Sequence, residues 1–376
     1  MSNTTELCRT INPAFWRGRR VFMTGHTGFK GTWLSAWLLE MSAELRGFAL
    51  PPLTSGLPQG YQSFFDEMQL ADRMEHEPGD IRDLPALRAA IRAFDPEIVI
   101  HMAAQPLVRL SYEEPVGTYA TNVMGTVNLL ESCRNLPSLR SIVVVSSDKC
   151  YENREQIWGY RENDPMGGHD PYSNSKGCTE LVTSSYRNSF FPIERLSEHG
   201  VAVCSGRAGN VIGGGDWSVD RLIPDAMRSF AASQMLIIRK PQALRPWQHV
   251  LDPLYGYLRL AQYAFEAPEL CAQGWNFGPS DNMNLRVADV VGHLADALGD
   301  RFKCKTVASD ADPHEATLLK LDCTAARQNL GWRPQFNAQE MINMTAAWYA
   351  NATEVARRAT VHSQIATLQK RLEAAG

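Results

Sequence analysis

The sequence predicts an α/β fold: a doubly wound parallel sheet with a smaller lobe interleaved into it. Three observations lead there. Over roughly the first 200 residues, short apolar strands alternate with longer stretches of helical spacing, the pattern of a parallel sheet covered on both faces. The first strand leaves through a glycine-rich turn, "VFMTGHTGFKGTWL", with glycines at 25, 28 and 31. Further on, the apolar run "IVVVSSDKCYEN" (142–153) stops on Ser146, Ser147, Asp148 and Lys149, where a buried strand ordinarily ends in glycine, proline or asparagine.

In chain order, strands are expected at 19–24 ("RRVFMT"), 45–50 ("LRGFAL"), 73–77, 97–101 ("EIVIH"), 141–146 ("SIVVVS") and 201–205 ("VAVCS"). Helices are expected between them, in "GTWLSAWLLEM", "DLPALRAAIRAF", "GTYATNVMGTVNLLESCRNL" and "KGCTELVTSSYRNSF". Crossovers between parallel strands are right-handed, and ligands of such sheets lie at the carboxyl ends of the strands. That places Ser146 to Lys149 where a ligand would stand. The chain is expected to divide into a dinucleotide-binding domain over 12–210, rejoined by 245–277, and a lobe made of 211–244 and 278–350. Residues 351–376 read as a charged helical tail, an oligomer contact or a frayed end.

The bulk properties narrow the function classes. A chain of 376 residues with 44% hydrophobic content can bury a sizeable core. A net charge of −4 gives no general attraction for nucleic acid or an anionic membrane, so a phosphorylated ligand needs local arginines. No apolar run reaches the roughly 18 residues of a membrane span, and "MSNTTELCRTINPAFW" lacks a basic segment followed by an apolar one, so a cytoplasmic protein is expected. The eight cysteines are scattered singly without paired spacing, which argues against zinc and against a disulfide framework. Cys150 beside the polar strand end is read as a small buried side chain rather than a nucleophile.

Two motifs carry the chemistry. Glycines in the order G-x-x-G-x-x-G, after a strand and opening a helix, permit a tight turn and the approach of a dinucleotide pyrophosphate to the helix N-terminus. In "PYSNSKG", Tyr172 and Lys176 stand four residues apart at a helix start, so they share a face. An ammonium there can lower the phenol's pKa and let a phenolate take a hydroxyl proton.

With these residues the chain resembles the extended short-chain dehydrogenase/reductase superfamily, and within it the nucleotide-sugar 4,6-dehydratases. The likeness runs from about residue 13 to 350 through "GDIRD" (79–83), "HMAAQPLV" (101–108), "NVMGTVNLLE" (122–131), "RAGNVIGGGDW" (207–217), "RPWQHVLDPL" (245–254), "WNFGP" (275–279) and "HEATLLKLDCTAARQNLGWRP" (314–334). The combination "SSDKCY", "GGGDW", "DRLIPD" and "HEA..LKLD" is most similar to the members of that family that act on CDP-glucose.

The resemblance implies a Rossmann-type domain and NAD. Gly25, His26, Thr27, Gly28, Phe29, Lys30, Gly31, Asp80, Ile81, Ala103, Ala104, Gln105 and Asn122, with Tyr172 and Lys176, would face the cofactor. Tyr172, helped by Lys176 and Ser147, would take the C4 hydroxyl proton as hydride leaves C4. The ketone then acidifies C5–H, a base removes that proton, Asp148 protonates the departing C6 hydroxyl, and the hydride returns to C6. Arg109, Asn210, Arg221, Arg245 and His314, with Glu315 beside it, would meet the nucleotide sugar. No metal is implied. CDP-glucose or another nucleotide sugar would be the partner, and the helices 112–134 and 171–190 would build a homodimer.

Two departures from the family stand out. Relatives acting on dTDP-glucose carry Glu as the C5 base where this chain has Lys149, so Lys149 is expected to be the base or to orient a water that is. From Leu45 through Phe65 there is no acidic residue to bind the adenosine ribose, and Arg46 lies near the start of its strand, so NADP stays open beside NAD. Two other functions stay open as well. A 4-epimerase or reductase needs Tyr172 and Lys176 but no Asp148, and a dinucleotide-sensing binder needs none of the three.

Overall fold

The computed structural model describes residues 10–238, 240–280, 283–307 and 318–375. Seven strands form one sheet: β1 (Arg20–Thr24), β2 (Glu44–Ala49), β3 (Glu75–Pro78), β4 (Ile98–His101), β5 (Ser141–Val145), β6 (Ala202–Arg207) and β7 (Gly274–Asn276). Their order is β7-β6-β5-β4-β1-β2-β3, and every pairing is parallel. All six expected strands are present, and β7 extends the sheet.

The strands hold because both faces are covered. Val21, Met23, Ile98, Ile100, Val143, Val145 and Cys204 join one buried cluster, while the alternate residues Phe22, Val99, Ile142, Val144 and Val203 join another. A period of two thus sends successive side chains into separate cores. The register aligns Thr24 with Phe48 and His101, and His101 with Val144, so the carboxyl ends finish on one edge.

The helices that matter for the site are α1 (Phe29–Glu40), α2 (Leu84–Phe94), α3 (Gly125–Ser132), α4 (Pro171–Ser189), α5 (Leu222–Ala231), α6 (Leu251–Glu266), α7 (Ala338–Ala350) and α8 (Glu354–Ala375). α4 starts where Asp170 accepts a hydrogen bond from Ser173 N at 2.9 Å and Pro171 supplies a φ already suited to a helix. The helix expected over 112–134 is broken. A first piece ends at Glu113, a second starts at Pro115, and a π-helical segment over Ala120–Met124 precedes α3. Pro115 forces the first break, since the residue before a proline is driven out of the α region.

Three two-stranded pairs build the rest: Val211–Ile212 with Gln248–His249, Leu244–Pro246 with Asn284–Arg286, and Leu236–Ile238 with Cys304–Thr306. One apolar cluster runs from Ile11 through the sheet to Leu372, so these pieces share the sheet's core. α6 is buried around nearly its whole circumference because it lies inside that core. Among the described residues no helix is long and apolar enough to cross a membrane.

α8 is neither frayed nor free. Val361, Ile365, Leu368 and Leu372 form its buried stripe, and buried Arg357 donates Nε to Glu67 Oε1 at 2.5 Å. The guanidinium also lies 4.7 Å from the Tyr61 ring centroid. Replacing Arg357 by Met would strand the buried Glu67 carboxylate, so stability should fall by about 3–5 kcal/mol in urea denaturation. An unchanged midpoint would show that the ion pair does not hold α8.

Candidate active site

The polar strand end becomes a tight turn. Ser146 N donates to Gly206 O at 2.9 Å, one rung beyond the ladder, and a 3₁₀ turn follows over Asp148–Cys150. Ser147 caps that turn: its Oγ accepts from Lys149 N at 3.2 Å and donates to Asp148 Oδ1 at 2.9 Å. Asp148 is 3% exposed. Gly209 lets the next loop close over it, since a Cβ there would lie 2.1 Å from Asp148 Oδ2. Lys149 is half-buried. Cys150 is fully buried, and burial pushes its thiol pKa well up, as expected of an inert side chain.

α4 brings Tyr172 and Lys176 alongside. Tyr172 N donates to Ser111 Oγ at 3.1 Å, fixing the helix start. Burial pushes the phenol up to about 12, with Ser147 and Arg221 pulling it down and Asp148 and Asp170 pushing it up. Arg221 is a second cation acting on the phenol, beside the Lys176 that shares its helix face. Burial lowers Lys176 to about 8, opposed by Glu180 and Cys150. Asn122, in the π-helical segment, donates Nδ2 to Gln105 O at 3.0 Å and Ser175 Oγ at 2.9 Å, and accepts from Gln105 N at 2.8 Å. It ties the 103–105 loop to α4.

The glycine turn is shaped for close approach. Gly25 has φ +77°, and a Cβ on it would lie 2.6 Å from Ala103 N; a Cβ on Gly31 would lie 2.1 Å from Gly25 O. Gly28 caps α1, whose N-terminus opens at the turn. Thr27 Oγ1 donates to Leu50 O at 2.9 Å and Phe29 is half-buried beside Gly213. His26 turns inward: it is buried against Gly47, Phe65 and His76, 2.7 Å from His76 Nδ1, and burial lowers its pKa to about 3. The imidazole is therefore packed inside and does not face solvent. His101 is likewise structural, buried between Thr24 and Thr126.

Lys30 is the surprise of the turn. Its ammonium lies 6.0 Å from the Tyr257 ring centroid, and its pKa falls to about 8 through burial and the nearby Arg221 and Lys176, with Asp148 and Asp216 opposing. A second lysine thus enters the cleft. Its position in the glycine motif had marked it only as a cofactor contact.

The remaining expected residues divide. Asp80 commits its carboxylate to Arg82 N and the Arg82 guanidinium at 2.5–3.0 Å, and Ile81 packs in the core beside Gly125. Ala103, Ala104 and Gln105 line the loop after β4, half-buried. Arg221 stands at the N-cap position of α5 and pairs with Asp216 at 3.3 Å, and Arg109 pairs with Asp220 at 3.6 Å. Asn210 O receives Gln248 N at 3.1 Å, and Arg245 Nη1 donates to Leu244 O at 2.9 Å. His314 and Glu315 lie outside the described residues. Among the described residues no group of His, Cys, Asp or Glu could hold a metal ion. Sequence reading missed Tyr257, whose buried hydroxyl has no hydrogen-bond partner among the described residues, and the Glu180–Arg207 pair behind Lys176. Only Glu180 had a visible signal, its place four residues after Lys176.

A hydroxyl, a phenol and an ammonium beside a glycine-rich turn, on a parallel sheet of this order, define a nucleotide-dependent short-chain dehydrogenase/reductase scaffold. The buried carboxylate adds an acid next to them. The chain belongs to the GDP-mannose 4,6 dehydratase family, whose profile matches residues 22–345. It is 52% identical to the CDP-glucose 4,6-dehydratase of Salmonella typhimurium over 90% of this chain and 92% of that one. It is 27% identical to the dTDP-glucose 4,6-dehydratase of Streptomyces antibioticus over 88% and 92%. Among solved structures, the dTDP-glucose 4,6-dehydratase of Streptomyces venezuelae with NAD bound superposes with TM-score 0.73 at 23% identity, covering 88% of this chain and 96% of that one. The UDP-glucose 4-epimerase of Thermotoga maritima gives 0.71 at 20% identity, covering 88% and 98%. The fold alone thus serves both reactions.

Removing the Asn122 amide would leave Gln105 N and O without their side-chain partner and take one donor from Ser175 Oγ, which keeps its bond to Tyr172 O. Asn122→Ala should therefore lower stability by about 1–3 kcal/mol in chemical denaturation. A loss under about 0.5 kcal/mol would mean the tie is not needed.

Proposed function

We propose that this protein is an NAD-dependent lyase that converts CDP-glucose to CDP-4-dehydro-6-deoxyglucose in deoxysugar biosynthesis. The observation that carries the reading is the 52% identity to a CDP-glucose 4,6-dehydratase across 90% of the chain. The site supports it, because Asp148 gives the scaffold a buried acid that an epimerase would not use.

The turn at Gly25, Gly28 and Gly31 would hold the pyrophosphate, with the 103–105 loop alongside. NAD bound there would supply the hydride exchange between C4 and C6 of the sugar. NAD rather than NADP is the reading supported by the NAD-bound dehydratases that share the fold. Tyr172 takes the C4 hydroxyl proton, with Ser147 sharing the hydrogen bond. Asp148 would give a proton to the departing C6 hydroxyl. Arg221 and Arg245 would meet the diphosphate, where a guanidinium suits paired oxygens, with Arg109 and Asn210 toward the sugar nucleotide. The protein would work in the cytoplasm as a homodimer through the 108–132 helices and α4, which expose Tyr112, Val116, Met124 and Leu181.

Lys149 is our choice for the C5 base, from its place beside Asp148. A second reading, Lys30, is favoured by its lowered pKa of about 8. Incubation with CDP-glucose and NAD in deuterated water, followed by NMR, should give a 6-deoxy-4-keto sugar deuterated at C5. CDP-galactose would instead make the protein an epimerase, and unchanged sugar a binder. Lys149→Met should stop C5 deuteration while leaving C4 oxidation. Unchanged exchange would move the base to Lys30, and Lys30→Met would then have to abolish it.

A further inference from the structure

Behind Lys176, on the side away from Tyr172, sits a buried carboxylate that the reaction as written does not use. Tyr172, Lys176 and Glu180 follow one another at steps of four, so they stand in a row on one face of α4. Glu180 is 4% exposed. Its Oε2 accepts from Ser205 Oγ at 2.7 Å and from Arg207 Nη2 at 2.9 Å. Its Oε1 is buried and has no partner among the described residues. A buried carboxylate oxygen without a donor is costly, and the nearest ammonium on its own helix face is Lys176.

Arg207 makes no hydrogen bond to that oxygen, and its own Nε is buried and without a partner among the described residues. It also donates Nη1 to Tyr151 Oη at 2.6 Å and to Glu162 O at 2.9 Å. We propose that Glu180 is a positioning residue, fixed by Arg207 and Ser205, whose free oxygen faces Lys176 and holds its ammonium charged and aimed at the phenol. The proposal rests on the reading that Lys176 serves Tyr172.

The other groups around Lys176 cannot take that part. Cys150, from the strand-end turn, keeps its thiol protonated. Lys30, from α1, is a like charge and opposes an ammonium. His101, at the end of β4, is kept neutral by burial. Glu180 is the chief charge acting against the burial cost on Lys176, and it stays ionised because Arg207 and Ser205 outweigh its own burial.

The sign follows. Lys176 sits near 8, below its ordinary value, with Glu180 holding it up. Without the carboxylate its pKa falls further, and the ammonium is lost at a lower pH. Glu180→Gln keeps the shape and tests this. In the protein without added ligands, competitive acetylation of Lys176 followed by peptide mass spectrometry should show the midpoint moving down by about one pH unit, a tenfold change in the charged fraction above it. The alkaline limb of kcat should move by the same amount, with KM changing less than about twofold. Glu180→Asp should recover part of the shift.

A folded Glu180→Gln variant with an unmoved midpoint would overturn the proposal, leaving Glu180 a purely structural partner of Arg207. If that variant fails to fold because Arg207 is stranded, Glu180→Asp, which keeps a charge for Arg207 while drawing the carboxylate back from Lys176, should still move the midpoint down by a smaller amount, and an unmoved midpoint there overturns the proposal. A shifted midpoint in a protein that turns over no nucleotide sugar would uphold the link between Glu180 and Lys176 and sink the dehydratase reading instead.

Discussion

The guanidinium of Arg207, taken out of water at the end of β6, joins the catalytic helix to the polar strand-end turn. It is 5% exposed, so every bond it makes replaces lost hydration. Through Glu180 it reaches the helix that carries Tyr172 and Lys176. Through Tyr151 it reaches the turn that carries Ser147, Asp148 and Lys149. Tyr151 Oη passes its proton on to Asn276 Oδ1 at 2.7 Å, and Asn276 Nδ2 donates to Tyr160 O at 2.9 Å and Asp322 O at 3.0 Å. The strand end, the helix, β7 and the segment after residue 318 are therefore set relative to one another by one charge. A hydrophobic residue of equal volume could fill the space but could not fix those four pieces at hydrogen-bonding distance.

On that frame the site gathers charges that repel. Lys30, Lys176 and Arg221 crowd one cleft, balanced by Asp148 and Asp216, and burial lowers both lysines to about 8. A lysine near neutrality can hold or give up a proton at working pH, which an exposed one cannot. Tyr172 starts far from that condition, at about 12, so the phenol needs further positive charge beside it before it can act as a base near neutral pH. NAD held at the glycine turn would supply such a charge through its oxidised nicotinamide.

The sheet was legible because a parallel strand buried on both faces must be apolar throughout, and Val143, Val144 and Val145 say so without ambiguity. α4 announced itself through Asp170 and Pro171. The break at Glu114–Pro115 was readable too, yet the apolar spacing on either side argued for one helix. α8 reads as a charged tail because its buried stripe is narrow and its anchor, Arg357, is itself a charge. Its partner Glu67 lies 290 residues away, a pairing no local pattern signals. Ser147, Asp148, Tyr172 and Lys176 came from motifs and resemblance. Lys30 and Tyr257 meet in the cleft from distant parts of the chain, and Arg207 sits in "SGRAGN" looking like an ordinary polar loop residue. Burial of a charge is a tertiary fact, and composition gives no sign of it.

The central claim is that Asp148 acts in water loss and not in the exchange of hydride at C4. Single-turnover absorbance at 340 nm, with Asp148→Asn, bound NAD and CDP-glucose, tests it most directly. The account predicts that the signal of reduced cofactor rises and stays, whereas in the unaltered protein it rises and returns to baseline. A variant that returns to baseline as fast as the unaltered protein would contradict the assignment of Asp148 as the acid.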